Sequence, residues 1–379
     1  MAEAGGQVVE IVGAGPAGLA AALAVRAAGR EAVVHERRAD VGLRFHGDFQ
    51  GLENWTTPGD VLDELAAAGI VPEFGQVPFH EVTLFDPDGV PRLFRSEAPL
   101  FHLLRRGPGP GTLDAALKAQ ALAAGAELRF GDTVSRLPQG GIVTEGPHRA
   151  DAIAAGWLFE TDMADAAYAA ISDRLAPKGY AYLLIQGGQG TLASCLFDDF
   201  HREREYVARV EAFFRARVGL VMRNPRRFGG SGNFFLPRTA RKGNILYAGE
   251  AAGFQDPLFG FGLRSALLSG AAAGRALAAG RPADYETFWR ERLRPRQETA
   301  ATNRWLYERL GDRGYRAVIH RFPADGDPRD YLRRAYAPRL LKRLWYRAWV
   351  GRRQQPLLQP HPGCDCTWCR CRHLAEGRS

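Results

Sequence analysis

The sequence predicts an α/β fold: a parallel nucleotide-binding sheet assembled from segments far apart in the chain, a mixed or antiparallel sheet over it, and a helical C-terminal extension. Three observations predict it. Residues 7–36 read as strand, glycine turn, helix and strand; residues 244–279 read as a second strand running into a glycine-rich helix start; and several alternating segments lie between them. The chain of 379 residues is 46% hydrophobic and 24% charged, enough to build one large or two ordinary domains and outside the disordered or collagen-like range.

In the first unit, a β-branched run (QVVEIV, 7–12) ends in Gly13-Ala14-Gly15-Pro16-Ala17-Gly18, and an Ala/Leu-rich helix follows to about residue 28. A second strand (EAVVH, 31–35) ends at Glu36, eighteen residues beyond Gly18. Gly13 permits the tight turn, Gly15 lets backbone approach a pyrophosphate, and Gly18 allows helix and strand to pack closely. The helix N-terminus offers free N–H groups to phosphate, and Glu36 can accept hydrogen bonds from a ribose diol. An acid at this position favours FAD or NAD over NADP.

The second unit separates FAD from NAD. Strand NILYA (244–248) runs into Gly249-Glu250-Ala251-Ala252-Gly253 and then FQDPLFGFGLR (254–264), followed by a small-residue helix to about residue 279. Glu250 can bind the ribityl chain of a flavin. A helix beginning near Gly260 would aim its positive end at N1 and C2=O of the isoalloxazine, where the reduced ring gathers negative charge.

VGAGPAGL, Glu36, the Arg105-Arg106 pair ahead of GTLDAAL (111–117), and GEAAGFQDPLFGFGLRSAL together resemble the geranylgeranyl reductase branch of the FAD-dependent hydroxylase and reductase superfamily, over about residues 7–280. The resemblance implies a discontinuous, Rossmann-like FAD-binding domain of the glutathione reductase type (1–75, 101–150 and 240–282). It implies a substrate domain (76–100 and 151–239) whose mixed sheet covers the flavin; C-terminal helices (283–353) and a cysteine-rich tail (354–379) complete the chain. It further implies FAD contacts at Gly13, Gly15, Pro16, Ala17, Gly18, Glu36, Arg37, Arg106 or Arg105, Gly249 and Glu250, with Pro257, Gly260 and Gly262 beside the ring. Three departures stand out. Glu250 replaces the usual Asp; Arg149-Ala150-Asp151-Ala152 stands where a central Asp-Gly motif belongs; and Arg44-Phe45-His46-Gly47 stands near the place of the cysteine-bearing glycine loop of the archaeal isoprenoid reductases.

In the middle of the chain, residues 156–161, 180–186 and 191–197 alternate as antiparallel strands, 79–94 reads as a hairpin around Asp86-Pro87-Asp88-Gly89, 202–218 as an amphipathic helix and 228–236 as a strand. Trp157, Phe159, Tyr180, Tyr182, Phe197, Phe234 and Phe235 give this sheet an aromatic content suited to an apolar ligand. His46 and Arg264 are the catalytic candidates, His46 as a general acid near neutral pH. Asp48, Gln50 and Trp55 would stand near them, and Cys195 reads as a buried small hydrophobe. No Ser-His-Asp order, His-Glu-x-x-His or Walker loop occurs, which argues against hydrolase, zinc protease and kinase chemistry, and no Trp-x-Trp-x-Ile-Pro halogenase motif is present.

The net charge of +8 is concentrated at the C-terminus: residues 331–353 hold eight Lys/Arg and no acid, while residues 1–330 hold 39 bases and 40 acids. On a helical wheel of residues 339–350, Arg339, Lys342, Arg343 and Arg347 cluster within about 140°. Leu340, Leu341, Leu344, Trp345, Ala348 and Trp349 fill the other half. Contact with an anionic membrane surface, docking of the apolar face on the protein's own body and nucleic acid are the readings weighed, in that order; no recognition motif supports the last. Cys364, Cys366, Cys369 and Cys371 form a tight C-x-C-x-x-C-x-C cluster, read as a zinc or iron–sulfur site with redox-active thiols as the alternative. Neither a spanning helix nor a signal peptide is read, so the expected place is the cytoplasm, peripheral on the inner face of the membrane.

The functional expectation is an FAD-dependent oxidoreductase, with NAD(P)H as electron donor, that reduces a C=C bond of a hydrophobic, isoprenoid or lipid-like substrate by hydride transfer. An aromatic hydroxylase using O2 and a non-enzymatic flavin and thiol redox sensor are the alternatives. The sequence leaves substrate identity and oligomeric state open.

Overall fold

The computed structural model describes residues 8–147, 150–323 and 326–351. The first half of the chain runs β1 (Val9–Val12), α1 (Pro16–Ala27), β2 (Ala32–Glu36), β3 (Phe49–Glu53), α2 (Val61–Ala67), β4 (Gln76–Phe79), β5 (Glu81–Phe85), β6 (Pro91–Arg95), β7 (Phe101–Arg105), α3 (Leu113–Ala123), β8 (Glu127–Phe130), β9 (Gly141–Val143), β10 (Ala152–Glu160), β11 (Ala166–Ala170), β12 (Tyr180–Gln186) and β13 (Gln189–Leu196). It continues through α4 (Glu203–Val218), β14 (Arg223–Gly232), β15 (Arg241–Lys242), β16 (Ile245–Tyr247), α5 (Leu263–Ala278), α6 (Pro282–Phe288), α7 (Arg294–His320), α8 (Pro328–Tyr336) and α9 (Leu340–Trp345).

The expected α/β class holds. One sheet, in the order β15-β16-β9-β1-β2-β8, is parallel except where β15 meets β16, and its strands come from positions more than 200 residues apart. Its core is unusually fine-grained: α1 (PAGLAAALAVRA) packs on α5 (LRSALLSGAAAGRALA), where a Cβ on Gly270 would lie 2.0 Å from the carbonyl oxygen of Ala17 and one on Gly274 2.4 Å from that of Ala21. The small residues bring these two backbones together directly behind the glycine turn.

The second, mixed sheet has seven strands in the order β14-β10-β13-β12-β11-β5-β6. Its expected members are present. The run AAYAA of β11, whose alanines carry no strand signature, adds a strand that propensity does not reveal; it pairs with β12 on one side and β5 on the other. Period-two alternation sorts the aromatic residues: Phe159 packs, with Trp157 beside it, into the core formed with α4, and Phe235 is exposed, while Tyr180, Tyr182, Phe197 and Phe234 face the parallel-sheet domain. A three-stranded sheet, β3-β7-β4, bridges the two layers.

Helices α7 to α9 wrap the outer side, and Gly311, at φ 57° and ψ −177°, breaks α7 into two arms. The wheel drawn for the last helix is right, but its orientation is the reverse of the docked reading. Lys342, Arg343 and Arg347 bond to α7, and all five large apolar residues of the opposite half stand exposed. Three of the four bases read as lipid contacts are therefore bound to protein. Arg352, Arg353 and the four-cysteine cluster lie outside the described residues. Among the described residues no group of three or more potential metal ligands occurs, and no helix is long and apolar enough to cross a membrane.

Candidate functional site

The three glycines of the first turn have distinct physical constraints. Gly13 sits at φ +100°, and a Cβ there would meet the Thr144 backbone at 3.0 Å. A Cβ on Gly18 would lie 1.9 Å from the carbonyl oxygen of Gly13, so this residue is required for helix-on-strand packing. Around Gly15, the N-cap of α1, a Cβ would meet nothing within 4 Å. The space it leaves open is where a pyrophosphate would meet the helix N-terminus. Thr144 Oγ1 closes the turn from beneath by donating to the carbonyls of Val12 and Gly13 at 2.9 and 2.8 Å.

Glu36 ends β2 with its carboxylate turned onto the same loop, accepting from Ala14 N at 2.9 Å and Arg38 N at 3.0 Å. Arg37 beside it lines the same cavity. Of the Arg105-Arg106 pair only Arg106 faces inward. It is buried, forks onto Asp114 at 2.9 and 2.8 Å, reaches Gln50 Oε1 at 3.0 Å and lies 3.9 Å from the Phe45 ring centroid. Arg105 points to solvent because successive residues leave a strand on opposite faces.

Glu250 follows β16 on a turn of 3-10 helix and lines the cavity, where Arg44 Nη1 meets it at 2.8 Å. Arg44 also donates to the Ser231 carbonyl, and it escaped the sequence reading because no local pattern marks an arginine that reaches Glu250 across 206 residues. Gly249 packs against Ala17 and so supports the turn from behind. Gly260 and Gly262 line the cavity where α5 begins; Pro257 lies behind them.

Two side-chain systems brace the loop 255–262. Gln255 Nε2 donates to the Gly260 carbonyl at 2.7 Å, leaving its buried Oε1 without a partner among the described residues. Asp256 accepts from Leu258 N at 3.1 Å, Phe259 N at 2.8 Å and the Tyr336 hydroxyl at 2.8 Å, and burial pushes its carboxyl up to about 6. From the covering sheet, the Tyr180 hydroxyl donates to the Phe259 carbonyl at 2.7 Å.

His46 lines the cavity, and its backbone N–H donates to buried Asp48 at 3.1 Å. Arg264, the other catalytic candidate, does not line the main cavity. Its guanidinium is buried against Glu53, Glu64 and Thr57 and faces a separate small cavity of about 90 Å³, because Leu263, not Arg264, turns toward the main one. Arg264 instead anchors the start of α5. Cys195 is buried as expected but stands on the cavity wall opposite Tyr180 in the ladder, its thiol pushed up to about 12 by burial. Such a thiol is a packing group at neutral pH.

Gly13, Gly15, Pro16, Ala17, Glu36, Arg37, Arg106, Gly260 and Gly262 line one cavity of about 1120 Å³, which runs from the glycine turn and Glu36, past Arg44, His46 and Glu250, to an apolar space under Tyr180, Tyr182, Phe197 and Phe234; Gly18, Arg105, Gly249, Pro257 and Arg264 do not line it. A family model described as an NAD(P)-binding Rossmann-like domain matches residues 11–59. The solved structure of a geranylgeranyl bacteriochlorophyll reductase-like protein from Thermoplasma acidophilum superposes at TM-score 0.68 with 17% identity, covering 92% of this chain and 98% of that one. The chain has the fold of the flavin-dependent oxidoreductases. The flavin-dependent brominase Bmp2 shares this flavoprotein fold at TM-score 0.63 and 16% identity, over 90% of this chain and 97% of its own. A flavoprotein/dehydrogenase from Cytophaga hutchinsonii does so at 0.59 and 15%, over 87% and 92%. A comparison with curated protein sequences finds no match. The resemblance to the reductase branch and its superfamily is thus borne out at the level of fold.

Proposed function

We propose that this protein is an FAD-dependent oxidoreductase that reduces a carbon–carbon double bond of a hydrophobic, isoprenoid or lipid-like substrate, with NAD(P)H as the source of electrons. One observation carries the reading: a single cavity of about 1120 Å³ joins a dinucleotide-type cradle to an apolar, aromatic-walled space. Gly13, Gly15, Pro16, Ala17, Glu36 and Arg37 would hold the adenosine and pyrophosphate, Arg44 and Glu250 the linking chain, and the 255–262 loop the ring. A bound flavin would supply the hydride.

The chain's own part is to orient and exclude water. Arg106, locked by Asp114, fixes Gln50 and Phe45 at the cavity wall; Tyr180 holds the loop against the sheet and Gln255 closes the loop on Gly260; and the aromatic roof keeps the reacting bond dry. His46, which lines the cavity, is the residue proposed to pass the proton to the reacting carbon. The apolar roof supports a lipid-like substrate, and such a substrate supports a peripheral position on the inner face of the membrane.

Purified protein should show a flavin absorption spectrum, and Gly15→Val or Glu36→Arg should lose it with the fold intact by circular dichroism. Colourless protein that ignores added FAD would refute the cofactor. Photoreduction without oxygen, followed by a screen of polyprenyl, quinone and aromatic acceptors, tests the reaction. Reoxidation by a polyprenyl alkene supports reduction, whereas an oxygen-dependent hydroxylated product would replace it with the hydroxylase, and no turnover with any acceptor would favour the redox sensor.

A further inference from the structure

Leu340, Leu341, Leu344, Trp345 and Trp349 form an apolar ridge whose members are between 45% and 81% exposed. What turns this face outward is the chemistry beneath it. Glu298 of α7 is fully buried and receives Arg343 Nε at 2.9 Å, Arg347 Nε at 3.2 Å and Arg294 Nε at 3.0 Å. Lys342 Nζ donates to Asn303 Oδ1 at 2.6 Å and to the Ala335 carbonyl at 3.2 Å, while Tyr346 and Val350 pack on Ala301. Rolling the helix to hide its leucines would break two of the three ion pairs to buried Glu298 and leave it with Arg294 alone, so the Arg343 and Arg347 pairs hold the ridge exposed. Its indoles are ordered by one another, with Trp345 at 5.8 Å from the Trp305 ring and 6.4 Å from that of Trp349.

Helix α8 leads from the ridge toward the cavity: Ala335, whose carbonyl accepts from Lys342 and Asn303, stands one turn from Tyr331. Leu306 and Leu310, one turn apart on α7, are exposed. Beyond the Gly311 break, Val318 and, across from it on α8, Tyr331 are each 42% exposed and also line the main cavity, which therefore opens between these two helices.

We infer that this ridge docks the protein on a phospholipid bilayer by inserting its leucines and indoles at the boundary between headgroups and acyl chains. Partition of apolar side chains drives the contact; attraction of bases to anionic lipid does not. Leucine with tryptophan on one face is the composition suited to that boundary, and a ridge next to an apolar cavity mouth faces a phase in which an apolar substrate dissolves. Because three of the helix's four bases are held by Glu298, Asn303 and Ala335, zwitterionic lipid suffices.

The test is co-sedimentation of the full chain with phosphatidylcholine vesicles at about 0.1 and 0.5 M NaCl, a range that shortens the screening length about twofold. Binding to these neutral vesicles, little changed by salt, is expected. Leu341→Gln with Leu344→Gln, and separately Trp345→Gln with Trp349→Gln, should each lower the partition coefficient by about tenfold or more, with unaltered circular dichroism and melting temperature since these side chains are exposed. Binding confined to anionic vesicles and abolished by salt would overturn the inference, as would wild-type binding by both double variants. A chain ended after Gly351 should bind as the full chain does; loss of binding there would assign the contact to residues 352–379 instead. A dimer in sedimentation equilibrium that the double variants dissolve, with no vesicle binding, would assign the ridge to a second copy. None of these outcomes depends on flavin, so the docking surface and the proposed activity stand or fall separately.

Discussion

Helices α1 and α9 each lie beside a carboxylate, and the two arrangements have opposite consequences. At α1 the acid, Glu36, is at the rim, where it accepts from the turn backbone, and the apolar side of the helix is buried against α5. At α9 the acid, Glu298, is underneath; the bases turn in to meet it, and the apolar side faces out. An amphipathic helix buries the face its support can satisfy, and at α9 that support is the buried Glu298 with Asn303, which take three of its bases.

The comparison can be broken at either end, and the largest effect is expected at the first. Gly18→Ala drives a Cβ into the Gly13 carbonyl and should cost about 3 kcal/mol or more in denaturant unfolding. Gly15→Val, three residues earlier, should leave stability within about 1 kcal/mol, since nothing lies within 4 Å of its Cβ, yet abolish flavin retention. Equal destabilisation by both would mean the turn is structural only. At the other end, Glu298→Gln should cost about 2–3 kcal/mol, below the ~3–5 kcal/mol of a wholly buried pair because Arg343 and Arg347 can reach water. It should also raise hydrogen exchange in 340–350 above that in α1.

Asp256 gives a smaller, pH-dependent effect. Its carboxyl is raised by burial from 3.8 to about 6, so between those values the folded protein binds the proton more tightly than the unfolded chain. Its contribution to stability is therefore most favourable below about pH 4 and is lost as pH rises through 6. The melting temperature of Asp256→Asn relative to wild type should climb over that range; a flat difference would place the carboxylate's environment wrongly. Smallest of all, Tyr336→Phe removes one hydrogen bond to Asp256 and should cost about 1 kcal/mol.

Much of the glycine-turn end was legible because its determinants are local. Gly13, Gly15, Gly18 and Glu36 lie within 24 residues, and turn geometry constrains each independently of the rest of the chain. Arg264 and Arg44 show where that stops. Both stand on segments that border the cavity, but whether a guanidinium points into it depends on partners some 200 residues away: Glu53 and Glu64 draw Arg264 behind the loop, while Glu250 draws Arg44 into the cavity. The strand β11 was missed for a related reason, since alanine pairs in a sheet only when strands already flank it.

By itself, then, the sequence determined the α/β class, the glycine turn with its acid, the strand alternation that sorts the aromatic roof, and the two faces of the last helix, all set by short-range periodicity and backbone sterics. The tertiary structure alone decided which arginines reach the cavity, that one continuous space joins cradle to roof, and that the last helix turns its leucines outward. Those outcomes depend on satisfying buried charge across long sequence separations, and Glu298, an ordinary glutamate in the sequence, shows its role only once α9 lies over it.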